Sequence, residues 1–445
     1  MEKTYYVKIY GCQMNYADAE RIDYIMQDAG YKKLTKHDNA DIIIVVSCSV
    51  RAKAEQKVHS WINQLPSEKT IVLTGCMVRR DFKDSECQNT NKNLKYIKRI
   101  CPNIKHYIPI KSINNIVKII ENSIGEQKKG SASTSKNYLT TPQIFSDKSI
   151  TAYIPIMTGC AQFCTYCIVP FARGEEISRK TDEILNDVKL ALKEGKTHIV
   201  LLGQIVNKWI DPVSKLTFVE LLKKICLIDN DFWLTFLSPH PNYVTKELLD
   251  FIISEPKMLK YLGLPLQHGD NHILKQMNRG YSVEKYTEQI EYLRSTYNSN
   301  NLSKNVPLYL TTDIVIGFGD ESEESFQTTY ALLKQLRFNQ VFVAYYSERP
   351  YTQASISIPD KIPINTKIER KNKIRKLTEK IYFEENEKLI GKVLPCRAHD
   401  IHRGITYSNQ YIELDPIHSN LVGKLINVKI TYGGRYGIKG KLVSV

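Results

Sequence analysis

Three cysteines lie within eight residues near the middle of the chain, in the segment GCAQFCTYC. Cys160, Cys164 and Cys167, here called the central cysteines, have the spacing C-x3-C-x2-C that is typical of thiolate metal ligands. A structural zinc site usually needs two C-x2-C pairs or Cys with His, and the chain has no second pair of that kind. We therefore interpret the segment as the ligand set of an iron–sulfur cluster. With three ligands, one iron stays open, which indicates chemistry rather than a scaffold.

A second group of three cysteines is spread over the first 76 residues. Cys12, Cys48 and Cys76, the N-terminal cysteines, each follow an apolar, strand-like run that ends in Gly or Ser. These runs alternate with helical patterns, as in a βαβαβ unit, and parallel strands collect ligands at their carboxyl ends. We expect the three thiols to converge there, and the alternative is that they are buried apolar fillers. The remaining cysteines show no such placement and are interpreted as bystanders: Cys87, Cys101, Cys226 and Cys396.

The elements that position these cysteines predict an α/β protein in several parts. Residues 1–124 form an N-terminal domain with a parallel sheet, and 125–150 form a linker whose Gly-, Ser- and Lys-rich first half, residues 125–137, breaks all periodicity. Six strand–helix units over 151–382 predict a (β/α)6-type partial barrel with its chemistry at the carboxyl ends of the strands. Short strands over 383–445 predict a small all-β, OB-like module, with one strand in each of KVLPCRAH, TYSNQYIELD, KLINVKITYGG and KGKLVSV.

The charge of the chain favours a polyanionic partner. Its 445 residues carry a net charge of +15, although a Lys-rich proteome would produce the same bias. Residues 388–445 contain nine Lys and Arg against three Asp and Glu. Four tyrosines interleaved with these charges predict an RNA-contacting surface, with an ordinary tyrosine-bearing barrel as the alternative: Tyr407, Tyr411, Tyr432 and Tyr436.

The location that we expect is cytoplasmic, with no membrane contact. No apolar run is long enough to span a bilayer, and the N-terminal segment MEKTYYVKIYG enters a strand-like alternation without a secretory signal. Thiols are kept reduced in the cytosol, so disulfides are a poor explanation for ten cysteines.

The motifs also resemble a known family. C-x3-C-x2-C at the start of a (β/α) barrel resembles the radical S-adenosylmethionine (SAM) superfamily, and GCAQFCTYCIVPFARGEEISR resembles its methylthiotransferase branch. That branch combines a three-cysteine N-terminal domain, a radical-SAM barrel and a C-terminal TRAM module, so the resemblance covers essentially the whole chain. YGCQMNYADAER, SCSVRAKAEQKV and GCMVRR resemble the MiaB type, which acts on tRNA.

Three loops depart from the family pattern. GFGDES lacks the usual Pro, LPLQHGD replaces the commoner Gln-Ser-Gly-Ser, and SERPYTQAS lacks the usual Gly after Pro. All three follow predicted barrel strands, where SAM or substrate would be held. We expect the departures to affect substrate preference rather than reaction type, because all six cysteines are present.

The resemblance implies two 4Fe-4S clusters and SAM as cofactors. The central cysteines would hold the cluster whose open iron binds SAM and, with one electron, generates a 5′-deoxyadenosyl radical. The N-terminal cysteines would hold a second cluster whose open iron could carry the sulfur. Candidate SAM-binding residues follow the central cysteines and the next strand, with solvated loop residues as the alternative: Gly174, Glu175, Arg179, Gln204 and Asn207.

The implied reaction adds a methylthio group to C2 of N6-isopentenylated adenosine beside the tRNA anticodon. That C2–H has no useful acidity, so hydrogen abstraction suits it better than a general base. The partners would be tRNA and an electron donor such as flavodoxin or ferredoxin, and we expect a monomer. Two alternatives keep the chemistry but change the acceptor, to threonylcarbamoyl-adenosine in tRNA or to a ribosomal protein. A third, of a different class, is a non-catalytic iron–sulfur RNA-binding protein.

Overall fold

The structure is a computed structural model that describes residues 3–49, 52–78, 92–124, 138–145 and 149–444. The first half of the expected linker, residues 125–137, and the bystander Cys87 lie outside these ranges. In the described ranges, no helix combines the length and the apolar character needed to cross a bilayer.

The N-terminal unit is a five-stranded sheet in which all neighbouring strands are parallel, in the order β2-β1-β3-β4-β5. Its elements are β1 (Thr4–Ile9), α1 (Gln13–Asp28), β2 (Lys32–Lys33), β3 (Ile42–Ser47), α2 (Ala52–Ile62), β4 (Thr70–Gly75), α3 (Lys92–Ile100), β5 (Ile104–Ile108) and α4 (Ile116–Ile124). Strand β3 is buried at every position, with Ile42 and Ile44 facing α1 and α4, and Ile43 and Val45 facing α2 and α3. The aliphatic run IIIVV is thus explained by burial on both faces of the sheet.

The strand order reverses between β1 and β3, because β2 lies on one side of β1 and the later strands lie on the other. In open parallel sheets, the crevice at the carboxyl ends beside such a reversal is the usual ligand position. Cys12 and Cys48 follow the two strands that border this crevice, and Cys76 follows the next strand.

The second half of the expected linker is packed structure. Residues Tyr138–Thr140 form a 3-10 helix, and Tyr138, Leu139 and Phe145 are almost completely buried. The Tyr138 hydroxyl lies 3.2 Å from Oγ1 of Thr158, close to the central cysteines. This segment therefore joins the N-terminal unit to the central one rather than separating them.

The central unit contains a strand in each of the six segments that the sequence predicts. Its elements are β6 (Thr151–Pro155), β7 (Met157–Thr158), α5 (Val169–Arg173), β8 (Ile177–Ser178), α6 (Thr181–Lys193), β9 (His198–Leu202), α7 (Phe218–Cys226), β10 (Trp233–Phe236), α8 (Lys246–Ser254), β11 (Tyr261–Gly263), α9 (Asn271–Gln276), α10 (Val283–Asn298), β12 (Tyr309–Ile316), α11 (Glu323–Leu336), β13 (Gln340–Tyr345), α12 (Gln353–Ser357) and α13 (Ile364–Glu387). Strands β6-β9-β10 and β11-β12-β13 form two parallel sheets, and a bridge between Leu234 and Met258 links them. One large core, built from both sheets and their helices, fills the unit.

The last unit is a closed five-stranded barrel in the order β14-β15-β16-β18-β17. Its strands are β14 (Val393–Ala398), β15 (Arg403–Thr406), β16 (Tyr411–Leu414), β17 (Leu425–Gly434) and β18 (Gly437–Ser444). The single strand predicted over TYSNQYIELD is wrong, because a turn with Asn409 at φ 59° separates β15 from β16. Helix α13 contacts both β13 and β17, so it connects the central unit to this barrel across the predicted boundary at residue 382.

The barrel packs against the central unit through aromatic and basic side chains. The ring centroids of Trp233 and Tyr407 are 5.3 Å apart, and the Arg397 guanidinium lies 5.0 Å from the Trp233 ring. The Tyr407 hydroxyl donates to the carbonyl of Pro256, and only 8% of Tyr407 is exposed. The prediction that Tyr407 contacts RNA is therefore wrong, since it belongs to this interface.

Candidate functional site

The N-terminal cysteines lie at the carboxyl ends of β1, β3 and β4, which are neighbours in the sheet. Cys48 and Cys76 are buried, and a Cβ added to Gly11 would lie 2.7 Å from Cβ of Cys48. Cys12 lies at the surface, but protein atoms surround its thiol and desolvate it. This desolvation is the main cause that raises the pKa of Cys12, and the nearby Cys76 acts in the same direction. The structure thus brings the three loops and their thiols together.

Asn15, in the first turn of α1, joins the first two of these loops. Its amide nitrogen donates to the carbonyls of Tyr10 at 2.7 Å and Ser47 at 3.0 Å. Its Oδ1 lies 3.8 Å from the Cys12 thiol and accepts a hydrogen bond from Arg173 Nη2 at 2.9 Å. One amide therefore holds the backbone on both sides of the crevice and binds a residue of the central unit.

Arg173 connects the two cysteine groups. It is the last residue of α5, the short helix that follows the central cysteines, and only 2% of it is exposed. Its Nη1 donates to Asp18 Oδ2 at 2.7 Å and to the Tyr138 hydroxyl at 3.3 Å. Asp18 is fully buried, so the pair is a buried ion pair between the N-terminal and central units. Helix α5 has five residues and is about 7.5 Å long at 1.5 Å per residue.

The central cysteines lie in the loop between β7 and α5. Cys160 and Cys164 are buried, and the backbone nitrogen of Cys167 donates to the Cys164 carbonyl at 2.9 Å. Burial raises the pKa of Cys167 to about 12, and the neighbouring thiols of Cys164 and Cys160 act in the same direction. The structure therefore brings these three sulfurs close together as well.

Thr165 anchors this loop to two short helices of the central unit, α9 and α12. Its backbone nitrogen donates to the Met277 carbonyl at 3.1 Å, and its Oγ1 donates to the Gln276 carbonyl at 2.8 Å. The Thr165 carbonyl accepts from the backbone nitrogen of Ala354 at 2.8 Å. The carboxyl end of α9 and the first turn of α12 thus hold the cysteine loop in place.

Arg279 is a functional candidate that the sequence analysis missed. Its Nη1 lies 3.1 Å from Sγ of Cys164, and its Nε donates to the Tyr281 hydroxyl at 3.0 Å. Only 6% of Arg279 is exposed. The residue stands in the segment QMNRGYS, but nothing local in that segment indicates a contact with a cysteine 115 residues earlier.

The five predicted SAM-binding residues have different surroundings. The Gly174 carbonyl accepts from the Cys160 backbone nitrogen at 3.1 Å, and Glu175 is exposed beside it. Gln204 is half-buried, and its Oε1 has no hydrogen-bond partner among the described residues. Gln204 thus keeps one polar atom without a protein partner, and the role of Gly174, Glu175 and Gln204 in SAM binding stays a prediction.

Arg179 and Asn207 are occupied by contacts within the protein. Arg179 Nη1 donates to Asp187 Oδ2 at 2.8 Å and to the Pro155 carbonyl at 2.9 Å. Asn207 makes a pair of hydrogen bonds with the backbone of His240, at 2.8 and 3.0 Å. Both side chains hold loops in position, and their role in SAM binding stays a prediction.

The loops that depart from the family pattern contact one another or the N-terminal unit. His268 of LPLQHGD lies 3.1 Å from Oε2 of Glu321 in GFGDES, and Arg370 of α13 donates to the same carboxylate at 2.7 Å. Arg349 of SERPYTQAS donates to the Ser49 carbonyl at 2.8 Å, one residue beyond Cys48. Tyr351, where the family has Gly, keeps a left-handed φ of 72°. For a bulky residue this conformation is an outlier of the kind that clusters at functional sites.

The two cysteine groups have the donor chemistry of iron–sulfur clusters. A mononuclear site needs its ligand atoms within about 2.0–2.3 Å of one point. In the described ranges, no three His, Cys, Asp or Glu side chains are arranged to bind one metal ion. Each group consists of thiols alone, the ligand type of 4Fe-4S clusters, in which each thiolate binds a different iron.

Comparisons with known proteins agree with this reading of the site. Residues 4–96 match a family described as uncharacterized protein family UPF0004, and residues 154–333 match the radical SAM superfamily. Among solved structures, a radical SAM methyltransferase, TsrM from Kitasatospora setae, aligns with a TM-score of 0.53 and 12% identity over 80% of this chain and 77% of that one. At that identity the likeness concerns the fold alone.

Curated relatives match the chain over nearly its full length. The tRNA-2-methylthio-N(6)-dimethylallyladenosine synthase of Dictyoglomus thermophilum is 32% identical over 99% of this chain and 98% of its own. The protein of the same name from Phocaeicola vulgatus is 32% identical over 99% of this chain and 96% of its own. With full-length similarity of this kind, and with a separate thiol group at each of two sheet edges, the chain belongs to the tRNA-2-methylthio-N(6)-dimethylallyladenosine synthase family of radical SAM proteins.

Proposed function

We propose that this protein is a radical SAM methylthiotransferase that adds a methylthio group to C2 of N6-isopentenylated adenosine beside the anticodon of tRNA. The observation that carries the proposal is the presence of two three-thiol groups joined by one buried residue, Arg173. The names of the full-length relatives support the dimethylallyl-adenosine acceptor over the threonylcarbamoyl and ribosomal-protein alternatives.

The central cysteines would hold one 4Fe-4S cluster and the N-terminal cysteines a second. When bound, the first cluster with SAM supplies the radical chemistry that a C–H bond of no useful acidity requires. The protein's own residues position the parts: Thr165 and the Gly174 carbonyl fix the central loop, and Asn15 fixes the N-terminal edge. The unpartnered Gln204 oxygen supports a polar contact to SAM.

The link between the two groups through α5 and Arg173 supports a division of labour on one substrate. Helix α5, about 7.5 Å long, leads from the central cysteines to the Asn15 and Asp18 contacts. A single base splayed out of the anticodon loop could therefore meet both sites without leaving the crevice. Because α5 is short and Arg173 is buried, the two groups of cysteines keep a constant position relative to each other.

The experiment that tests the proposal is anaerobic reconstitution, followed by dithionite, SAM and isopentenylated tRNA, with mass spectrometry of the nucleosides. A methylthio nucleoside supports it. If 5′-deoxyadenosine forms while this tRNA stays unmodified, the acceptor is wrong, and the two alternative acceptors are tried. Without SAM cleavage the enzyme assignment itself fails, which leaves the non-catalytic RNA-binding alternative.

The C-terminal barrel would act as the TRAM-type module that holds the tRNA backbone. Tyr411, Tyr432 and Tyr436 are exposed on it, Tyr436 almost completely. Base stacking on aromatic rings combined with Lys and Arg charges is a common mode of single-stranded RNA binding. The remaining partners follow from the same proposal: a one-electron donor such as flavodoxin or ferredoxin, a monomeric enzyme and a cytoplasmic location.

Replacing Tyr436 by alanine is expected to weaken tRNA binding by roughly 5- to 150-fold, because one stacked base contributes about 1–3 kcal/mol. Tyr436 is 98% exposed in the turn between β17 and β18, so folding should not suffer. Filter binding or fluorescence anisotropy at fixed salt measures the effect. Leu227→Ala is the matched control, since Leu227 is 83% exposed on the central unit. Equal affinities for both variants would exclude Tyr436 from the RNA surface.

Replacing Gly159 by alanine is expected to remove the iron held by the central cysteines. Gly159 has φ 79°, and a Cβ there would lie 1.8 Å from the Glu175 carbonyl oxygen, so the backbone that carries Cys160 must move. Gly195→Ala is the matched control: its φ is 78°, but no atom lies within 4 Å of the added Cβ. In that control, the expected cost is only that of placing alanine in a left-handed backbone conformation, about 1–2 kcal/mol. Iron per chain, measured after reconstitution, should fall by about half in the first variant alone.

A further inference from the structure

Cations near the cysteines differ in how their charge is balanced. Arg173 is paired with Asp18 at 2.7 Å, and Lys208, beside Cys160, is paired with Glu176 at 3.0 Å. Arg279 is different. The groups that interact with its charge are the Tyr166 and Tyr281 hydroxyls and the Cys164 thiol, and among the described residues no carboxylate forms an ion pair with it.

A buried guanidinium without an anionic partner is costly. Removing an ion from water costs several kcal/mol unless an opposite charge and good hydrogen bonds compensate for it. Arg279 is only 6% exposed, and its hydrogen bonds run to a neutral phenol and to a thiol. Burial, and then the charge of Arg279, lowers the pKa of nearby His240 to about 3, so its ring is neutral and contributes no charge of either sign. The compensating charge must therefore come from the cysteines themselves.

We propose that Arg279 is the built-in counter-ion of the cluster held by Cys160, Cys164 and Cys167, and that its N–H bond to Cys164 raises that cluster's reduction potential. The inference rests on the proposed function, since it needs the cluster to be present. Three thiolates bring three negative charges into a buried loop. Arg279 acts through its contact with Cys164, so the proposal makes it a positioning residue.

The effect on the potential has a definite sign. Adding an electron makes the cluster more negative, and a fixed positive charge nearby stabilises the reduced form. Hydrogen bonds to the cysteine sulfurs and net charge are among the factors that set iron–sulfur potentials. With Arg279 in place, a weaker reductant suffices to supply the one electron that SAM cleavage consumes.

The test is a redox titration of the full chain in which Cys12, Cys48 and Cys76 are all replaced by alanine, so that one cluster remains. The midpoint potential is followed by electron paramagnetic resonance without SAM. For Arg279→Gln we expect a fall of at least about 59 mV, a tenfold change in the one-electron equilibrium constant. For Arg279→Lys, which keeps the charge but loses the planar guanidinium, the midpoint potential should fall less. Arg397→Gln is the matched control. Arg397 is a buried arginine of the C-terminal barrel that pairs with Asp231 of the central unit, and its replacement should not change the potential.

The iron-free chain provides a second readout that a merely structural role would not produce. Removing an uncompensated buried charge should leave the thermal midpoint of the iron-free Arg279→Gln chain unchanged or higher than the parent's. A lower midpoint there would overturn the proposal, as would an unchanged potential in a fully loaded Arg279→Gln variant. An unchanged potential with weaker SAM binding would instead make Arg279 a SAM ligand. If the parent chain itself binds no iron, the proposed function fails rather than this inference.

Discussion

Replacing Cys12 by alanine is expected to remove about half of the iron, from about eight to about four per chain, and to abolish the methylthio product while SAM is still cleaved. The reason is that the two thiol groups share no ligand and lie in separate loops, one at the edge of the N-terminal sheet and one between β7 and α5. Cys160→Ala should lose a similar amount of iron, but it should form neither 5′-deoxyadenosine nor product. Iron analysis and mass spectrometry of both products measure these outcomes.

Cys226→Ala is the control for the loss of a thiol. Cys226 ends α7, and burial raises the pKa of its thiol to about 12, as expected for an inert filler. This variant should keep all its iron and both products. If Cys12→Ala still made methylthio nucleoside, the N-terminal cysteines would be fillers too. Loss of SAM cleavage in Cys12→Ala would show that the two groups do not work separately.

Replacing Arg173 by methionine is expected to cost about 3 kcal/mol of folding free energy. Breaking a buried ion pair by removing one partner typically costs about 3–5 kcal/mol, because the other charge is left buried. Burial already raises the pKa of Asp18, and Arg173 is the strongest influence in the opposite direction. Arg21 also acts on Asp18 and would remain, which places the expected loss at the low end of that range. Denaturant unfolding, followed by a probe in each unit, measures the change.

Two further variants distinguish this pair from an ordinary ion pair. Asp18→Asn combined with Arg173→Met should recover part of the loss, since no charge is then left uncompensated. Lys223→Met removes one partner of an exposed pair, Lys223 with Glu247, and should cost less than 1 kcal/mol. If Arg173→Met behaved like Lys223→Met, Arg173 would not be what joins the two units.

Much of the site follows from local patterns, because each N-terminal cysteine stands directly after a strand whose aliphatic run is readable in the sequence. The central cysteines are likewise recognisable from their spacing alone. The charged groups that contact the cysteines cannot be predicted from the sequence, because these contacts are long-range. Arg173 contacts Asn15, which is 158 residues away in the sequence, and Arg279 contacts Cys164, which is 115 residues away. No helical or strand period reports such contacts.

The errors of the sequence analysis have a related cause. Tyr407 lies among Lys and Arg residues in the sequence, as a tyrosine on an RNA-binding surface would. Only the packing of the barrel on Trp233 shows that it is buried. Residues 138–145 look like the continuation of a polar linker, yet Tyr138 and Leu139 fill space between two units. Strand β15 was missed because the turn at Asn409 lies inside a segment that otherwise alternates like a single strand. In the first two cases a contact between units decided the structure, and in the third a turn within the barrel did.

The pairing of Asp18 with Arg173 also affects the order of events during protein synthesis. The two residues are 155 positions apart, so at roughly 5–20 residues per second the ribosome needs about 8 to 30 s to make the second after the first. Until then the Asp18 carboxylate in the newly made N-terminal unit has no Arg173 to pair with. Asn15, beside Cys12, also lacks its hydrogen bond from Arg173. Iron inserted into that edge during translation would enter an unfinished site. Under the proposed function, Cys12, Cys48 and Cys76 thus become ready for metal only after the segment carrying the central cysteines has been made.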